Sequence, residues 1–202
     1  MKKIIYSLVI FAFAIGFSGC SGSIKNMTAS APNKLIEAPA SGKSKIVFMR
    51  PSTLGYAIQS SVFKVDNNVT SIVGIVAAKK KVSYELDPGK HLFMVIGKSA
   101  DFMSANLEAD KIYYALVTPR LGFWKARFSL APVHLKQLSS EKFTTWLKEC
   151  QLVEVNSDTQ QWSIDNAESI QSKYNEYYKD WMNKEAYKRP LLTENDGLKS
   201  LE

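Results

Sequence analysis

Cysteine is almost absent from this 202-residue chain, which holds only Cys20 and Cys150. So few thiols exclude a disulfide-stapled scaffold and a cysteine-rich zinc module. Histidine is equally scarce: His91 and His134 stand alone, without HExxH or HxH spacing, so no metal site and no cofactor are expected. No glycine-rich phosphate loop occurs, because Gly55, Gly74, Gly89, Gly97 and Gly122 are isolated, and no GxSxG elbow occurs either. Long apolar runs are missing as well. The run from Ile4 to Phe17 has 14 residues, short of the roughly 20 that carry a helix across a bilayer. A multispanning membrane protein is thereby excluded. What is present is ordinary: 46% hydrophobic and 22% charged residues, with 10 glycines and 7 prolines. That composition suits one globular domain with appendages.

The N-terminus is the most informative stretch. Lys2 and Lys3 precede the apolar run, and Phe17-Ser18-Gly19-Cys20 follows it. A basic start, a short apolar segment and small residues before a cut site make a secretory signal. The last four residues resemble the lipobox of bacterial lipoproteins. The resemblance implies cleavage after residue 19, acylation of Cys20, and an anchored chain with no transmembrane helix, since each buried methylene of an acyl chain contributes ~0.8 kcal/mol. Ser21, standing where an Asp would retain such proteins at the inner membrane, implies the periplasmic face of the outer membrane. Loss of Lys2 and Lys3 lowers the net charge of +7 by two. An exported, anchored chain meets no nucleic acid, so the residual basicity is read as serving solubility or an anionic envelope surface.

Along the mature chain, residues 20–43 are rich in Ser, Ala, Pro, Asn and Lys and read as lipid attachment plus a flexible tether. Residues 44–134 carry eight short apolar or alternating runs: Lys45–Arg50, Ser61–Asp66, Val69–Ala77, Val82–Leu86, His91–Ile96, Phe102–Glu108, Lys111–Thr118 and Trp124–Leu130. Turn residues separate them, Asn67-Asn68 and Asp87-Pro88-Gly89-Lys90 among them. This spacing predicts a mainly β chain, an antiparallel β-sandwich of seven or eight strands. Residues 135–190 change character. Ser140–Glu149 predicts a short amphipathic helix, and Asp165 to Ala186 a long one with Ile170, Tyr174, Tyr177, Tyr178 and Trp181 at three- and four-residue steps. These aromatics predict a helical extension docked on the sandwich, and residues 191–202 predict a polar tail.

The order of lipobox, Arg50-Pro51, Pro88-Gly89-Lys90-His91, Tyr113-Tyr114 and a Trp-containing strand resembles an uncharacterised family of small bacterial envelope lipoproteins. Their domain is similar to carboxypeptidase-regulatory and PEGA-type sandwiches. The resemblance runs from Lys45 to Val133 and implies a sandwich without assigned catalytic residues. One departure stands out: Asp110 holds the place where that family has glycine before its basic residue and Tyr pair.

Catalytic candidates are thin. Cys150 with His91 and His134 is the sole thiol–imidazole set once Cys20 carries lipid, and nothing in the spacing brings base to nucleophile. Cys150 ends an amphipathic helix and is read as buried. Lys79-Lys80-Lys81 is read as a solvated hairpin end. Arg120, Phe123 and Trp124 share a glycine-bearing loop and are the candidate binding residues; packing of the two aromatics on the sandwich edge is the alternative. The expectation is therefore a non-enzymatic binding or scaffolding module, anchored to the membrane and contacting an envelope protein or glycan. An envelope hydrolase using a carboxylate or thiol, and an accessory subunit of a secretion or transport complex, are the other readings.

Overall fold

Strand β2, Ser44–Arg50, is buried at every position except Lys45. A strand with both faces apolar needs a cover on each side, and that demand sets the layers of the fold. The computed structural model describes residues 24–120 and 127–199. Among them the chain is mainly β. Its first strand, β1, is the short Thr28–Ala29 pair. After β2 come β3 (Ser60–Asp66), β4 (Val69–Val76), β5 (Lys80–Leu86), β6 (Gly89–Ile96), β7 (Ala100–Leu107), β8 (Lys111–Arg120) and β9 (Arg127–Pro132). Helices α1 (Leu135–Leu138) and α2 (Glu141–Glu149), strand β10 (Gln151–Glu154), helices α3 (Ser157–Asp165) and α4 (Ala167–Met182), and strands β11 (Leu191–Leu192) and β12 (Leu198–Lys199) complete it.

Two sheets result. The first runs β1-β10-β5-β2-β8-β12, with β9 also paired to β8; the second runs β11-β7-β6-β3-β4. Tight turns drive the second sheet. Asn67 and Asn68 take φ of 46° and 66°, the doubly left-handed turn whose twist matches an antiparallel hairpin. Asp110 likewise has φ of 60°, and its Oδ1 accepts from the Gly42 N–H at 2.8 Å. Asp110 thus tolerates the left-handed conformation at the passage from β7 of the second sheet to β8 of the first.

Three apolar clusters stack through the molecule. Ile46, Phe48, Val62, Phe93, Val95, Tyr113 and Phe128 meet between the two sheets. On the outer face of the second sheet, Phe63, Met94 and Phe102 receive Ile170, Tyr174 and Trp181 of α4. On the outer face of the first, Val47, Met49, Ile112 and Tyr114 receive Leu138, Phe143 and Cys150. The order is helix, sheet, sheet, helix. Alternate residues of β2 thus enter two different clusters, the period-two consequence of a pleated strand.

The structure departs from the sequence expectation in several places. The sheets are mixed rather than antiparallel: β2 pairs in parallel with β8, β10 with β5, and β11 with β7. A parallel pair needs a long crossover, and the connection from Arg50 to Lys111 supplies one by building most of the second sheet. Alternation along a strand reports burial, and carries no record of the neighbour's direction. Residues 24–43 do not run free: Met27 is buried, β1 pairs with β10, and the Ser30 N–H donates to the Leu152 carbonyl. Residues 191–199 are likewise held, with Leu192 and Asp196 buried. The long helix expected from Asp165 begins only after Asn166, and Asp165 itself closes α3. Helix α3 itself was not foreseen; its signal is Asn156, whose side chain accepts from the Thr159 N–H at 3.0 Å.

Candidate functional site

Of the expected site residues, Cys20, Phe123 and Trp124 lie outside the described residues. Arg120 ends β8, and its Nη2 stands 3.1 Å from Oδ2 of Asp101. Lys184 approaches Oδ1 of the same carboxylate at 3.4 Å. The Arg120 side chain is more than half exposed, whereas Asp101 is buried. Arg120 therefore takes part in a clamp that ties β8, β7 and the segment after α4 together.

The thiol and the imidazoles do not meet. His91 sits on β6 and donates through Nε2 to the Asp87 carbonyl at 2.8 Å. His134 precedes α1, with Nδ1 3.1 Å from Oδ2 of Asp196. Cys150 caps α2 over the other sheet, and the charged groups that act on it are Lys81, Lys79 and Glu149. Burial pushes its thiol up to about 11 despite the two lysines. A thiol in that state stays protonated at neutral pH and is a poor nucleophile. Among the described residues no group of three His, Cys, Asp or Glu side chains is placed to share a metal ion, and no helix is long and apolar enough to cross a membrane.

The lysine run is not a solvated end. Lys80 and Lys81 are 3% and 6% exposed. Strand β10 returns beside β5, so the Lys81 ammonium donates to the Leu147 carbonyl at 2.6 Å and that of Lys80 to Gln151 Oε1 at 2.7 Å. Burial lowers both pKa values from the ordinary lysine range. Only Lys79 reaches outward, to Glu149 at 2.6 Å.

Lys81, Glu149 and Gln151 border a cleft of about 860 Å³ on the outer face of the first sheet. Ile112 and Tyr114 of β8 form its floor with Leu152, while Ile36, Leu147 and Leu198 form its walls. Tyr114 is fixed edge-on against Phe143, 4.9 Å between centroids, and burial raises its phenol to about 12. Cys150 and Lys81 lie at the inner end; Lys34, Lys148 and Lys199 stand on the rim. Lys34 also pairs with Glu154 at 2.7 Å. The chemistry is that of an apolar slot whose mouth carries three lysines and the Glu149 carboxylate, within the size range of small-ligand sites. Sequence reasoning missed it because its walls come from residues 32–36, 144–152 and 198–199, segments far apart in the chain. One signal was available: Ile112 to Val117 is apolar without a break, the pattern of a strand covered on both faces.

Neither a scan against protein-family models nor a search of the curated proteins finds a match to this chain.

Proposed function

We propose that this chain is a lipid-anchored protein of the bacterial envelope, held by Cys20 at the periplasmic face of the outer membrane, that binds a ligand without transforming it. In this reading the stacked sheets serve as a β-sandwich of the envelope-lipoprotein kind, modified by three parallel pairings. The ligand is a small amphiphile with one apolar chain and an anionic head, and its site is the cleft between α2 and β8. The observation that carries the reading is the composition of that cleft: apolar walls from Ile36, Ile112, Leu147 and Leu198 beneath the ammonium groups of Lys148 and Lys199, with Lys34 and Glu149 beside them already paired to Glu154 and Lys79. Apolar contact supplies affinity, and the cationic rim orients the head. The protonated state of Cys150 favours binding over thiol hydrolysis.

Two measurements test it. Cys20→Ala abolishes incorporation of labelled palmitate; labelling that persists overturns the anchor. Titration with a fluorescent long-chain fatty acid gives saturable binding, and Leu147→Glu weakens it about tenfold, the equivalent of ~1.4 kcal/mol. Binding unchanged by Leu147→Glu overturns the cleft as the site.

A further inference from the structure

A second concavity, of about 530 Å³, lies where α3 and α4 meet the ends of β3 and β6. Lys98 and Lys173 line it, together with Trp162, Asn166, Ser169 and Ser61. No residue that lines it bears a carboxyl group, and among the described residues neither lysine pairs with an acid. Lys98 is exposed; Lys173 is half-buried and reaches Ser169 Oγ at 3.1 Å. Two cations with amide and hydroxyl donors and an indole beside them suit a phosphate carried on an uncharged body.

The position of this site relative to the N-terminus decides what brings the phosphate. Residues 26–28 run along the start of α3. Thr159 Oγ1 donates to the Asn26 carbonyl, Asn156 Nδ2 donates to Thr28 Oγ1 at 3.0 Å, and the Ile75 N–H donates to the Met27 sulfur at 3.4 Å. Ile75 is the strand partner of Ser61, which lines the cavity. Trp162, one turn beyond Thr159, packs on the inter-sheet core, as Ile24 does, and also on the cluster under α4. The N-terminal segment and the cavity therefore flank the same helix. Ile24 is already packed on the core, and Cys20 stands only four positions before it. At ~3.5 Å per residue, that connection reaches at most about 14 Å.

From this juxtaposition we infer that the α3–α4 cavity binds the phosphate headgroup of an anionic glycerophospholipid in the bilayer that holds Cys20. The inference rests on the anchoring proposed above. A lipid at Cys20 with so short a connection keeps the α3 end of the molecule at the headgroup layer, where Lys98 and Lys173 meet lipid phosphates at high local concentration. The amphiphile cleft lies over the other sheet and is a separate site.

The test separates the site from the anchor. The intact mass of the chain purified from membranes reports lipid at Cys20; a mass without lipid overturns the anchoring and the short leash together. Headgroup binding is then read on an unlipidated chain that begins at Ser21, which keeps all described strands, helices and core residues. It co-sediments with vesicles of phosphatidylcholine mixed with phosphatidylglycerol and not with phosphatidylcholine alone. Lys98→Gln and Lys173→Gln each weaken that binding about fivefold, the equivalent of ~1 kcal/mol for one lysine near an anionic surface. Lys90→Gln, at the opposite end of β6, leaves it unchanged. Equal binding to both vesicle types, or an equal loss with Lys90→Gln, overturns the site. Inorganic phosphate added at the lipid concentration does not release the protein; release by it reassigns the cavity to a soluble anion and overturns the lipid as occupant.

Discussion

The indole of Trp181 lies 5.8 Å from the ring of Phe102, centroid to centroid, and joins the last turn of α4 to strand β7. Tyr178 stacks on Trp181 at 6.1 Å and on Tyr174 at 5.0 Å. The guanidinium of Arg189 lies over the indole at 5.3 Å. Four aromatic rings thus form a continuous contact between helix and sheet. A lone helix of 16 residues is marginal in water, so this contact is what keeps it helical.

Trp181→Ala removes a side chain that is only 4% exposed. The expected cost is ~3–5 kcal/mol, as for other buried Trp truncations. At ~2–4 °C per kcal/mol for a chain of this size, the melting temperature falls by about 10 °C. Thermal unfolding of the two proteins side by side gives the answer. An unchanged melting temperature would move these aromatics from the fold to a partner surface.

Arg50 is fully buried, with Nη2 donating to the carbonyls of Leu54 at 2.6 Å and Gly55 at 2.8 Å and Nη1 to that of Ile58. Its guanidinium also lies 4.8 Å above the ring of Phe128. One planar fork therefore shapes the whole 51–58 loop, and burial lowers its pKa. Arg50→Lys keeps the charge and loses the fork, because a point ammonium does not reach three carbonyls in one plane. Each hydrogen bond to the charged fork that is lost is worth ~1.5–3 kcal/mol. Limited proteolysis within residues 51–58 should accelerate markedly in Arg50→Lys, and a cleavage rate equal to wild type would contradict this role.

The strands from β2 to β8 were legible because alternation and turn residues are local signals, and Asn67-Asn68 or Asp87-Pro88-Gly89 carry their geometry within a few positions. The parallel partnership of β2 with β8 was not, since it is decided by where the chain returns after sixty intervening residues. Lys80 and Lys81 were misread for the same reason. Three consecutive lysines read as a solvated end until β10 and the last turn of α2 come to cover two of them. The cleft is a further case, its walls built from three distant segments set on a floor from β8, which no single window of sequence contains. Trp181 and Tyr174, by contrast, announced their burial through spacing alone.

Acid sensitivity follows from two groups. His91 has its pKa lowered by burial, against the bond to the Asp87 carbonyl that raises it. Burial would push the Asp196 carboxyl up, but bonds from the Thr193 N–H and hydroxyl, His134 and the Leu135 N–H outweigh it and hold it below the usual range. In both cases the folded value lies below the unfolded one. The stabilisation is complete above the unfolded values, near 6.5 for His and 3.9 for Asp, and is lost as pH falls through the folded ones. Urea midpoints measured against pH should decline first below about 6.5 and again below about 4. His91→Gln should remove the upper step alone; an upper step that survives the substitution assigns it elsewhere.

Gly197 packs directly against Tyr113 and Lys111 of β8. A Cβ there would stand 2.6 Å from Cζ of Tyr113 and 2.9 Å from Cβ of Lys111, both held within the sheet. Those separations are below any real contact, so Gly197→Ala must push β12 away from its pairing with Ile112 and Lys111. Leu198 and Lys199 then leave the cleft wall, while the three core clusters, which contain neither residue, stay packed. The substitution should therefore weaken fatty-acid binding more than it lowers stability. Cys150 provides an independent reading of the same change. In the wild type its thiol, pushed up to about 11 by burial, should react slowly with iodoacetamide at neutral pH and faster as pH climbs. Loss of the wall should speed labelling at fixed pH by exposing the inner end of the cleft. Faster labelling with ligand affinity intact would show that β12 shields the thiol without forming part of the site. Unchanged labelling and unchanged affinity would show that the close packing of Gly197 on Tyr113 carries no consequence for the cleft.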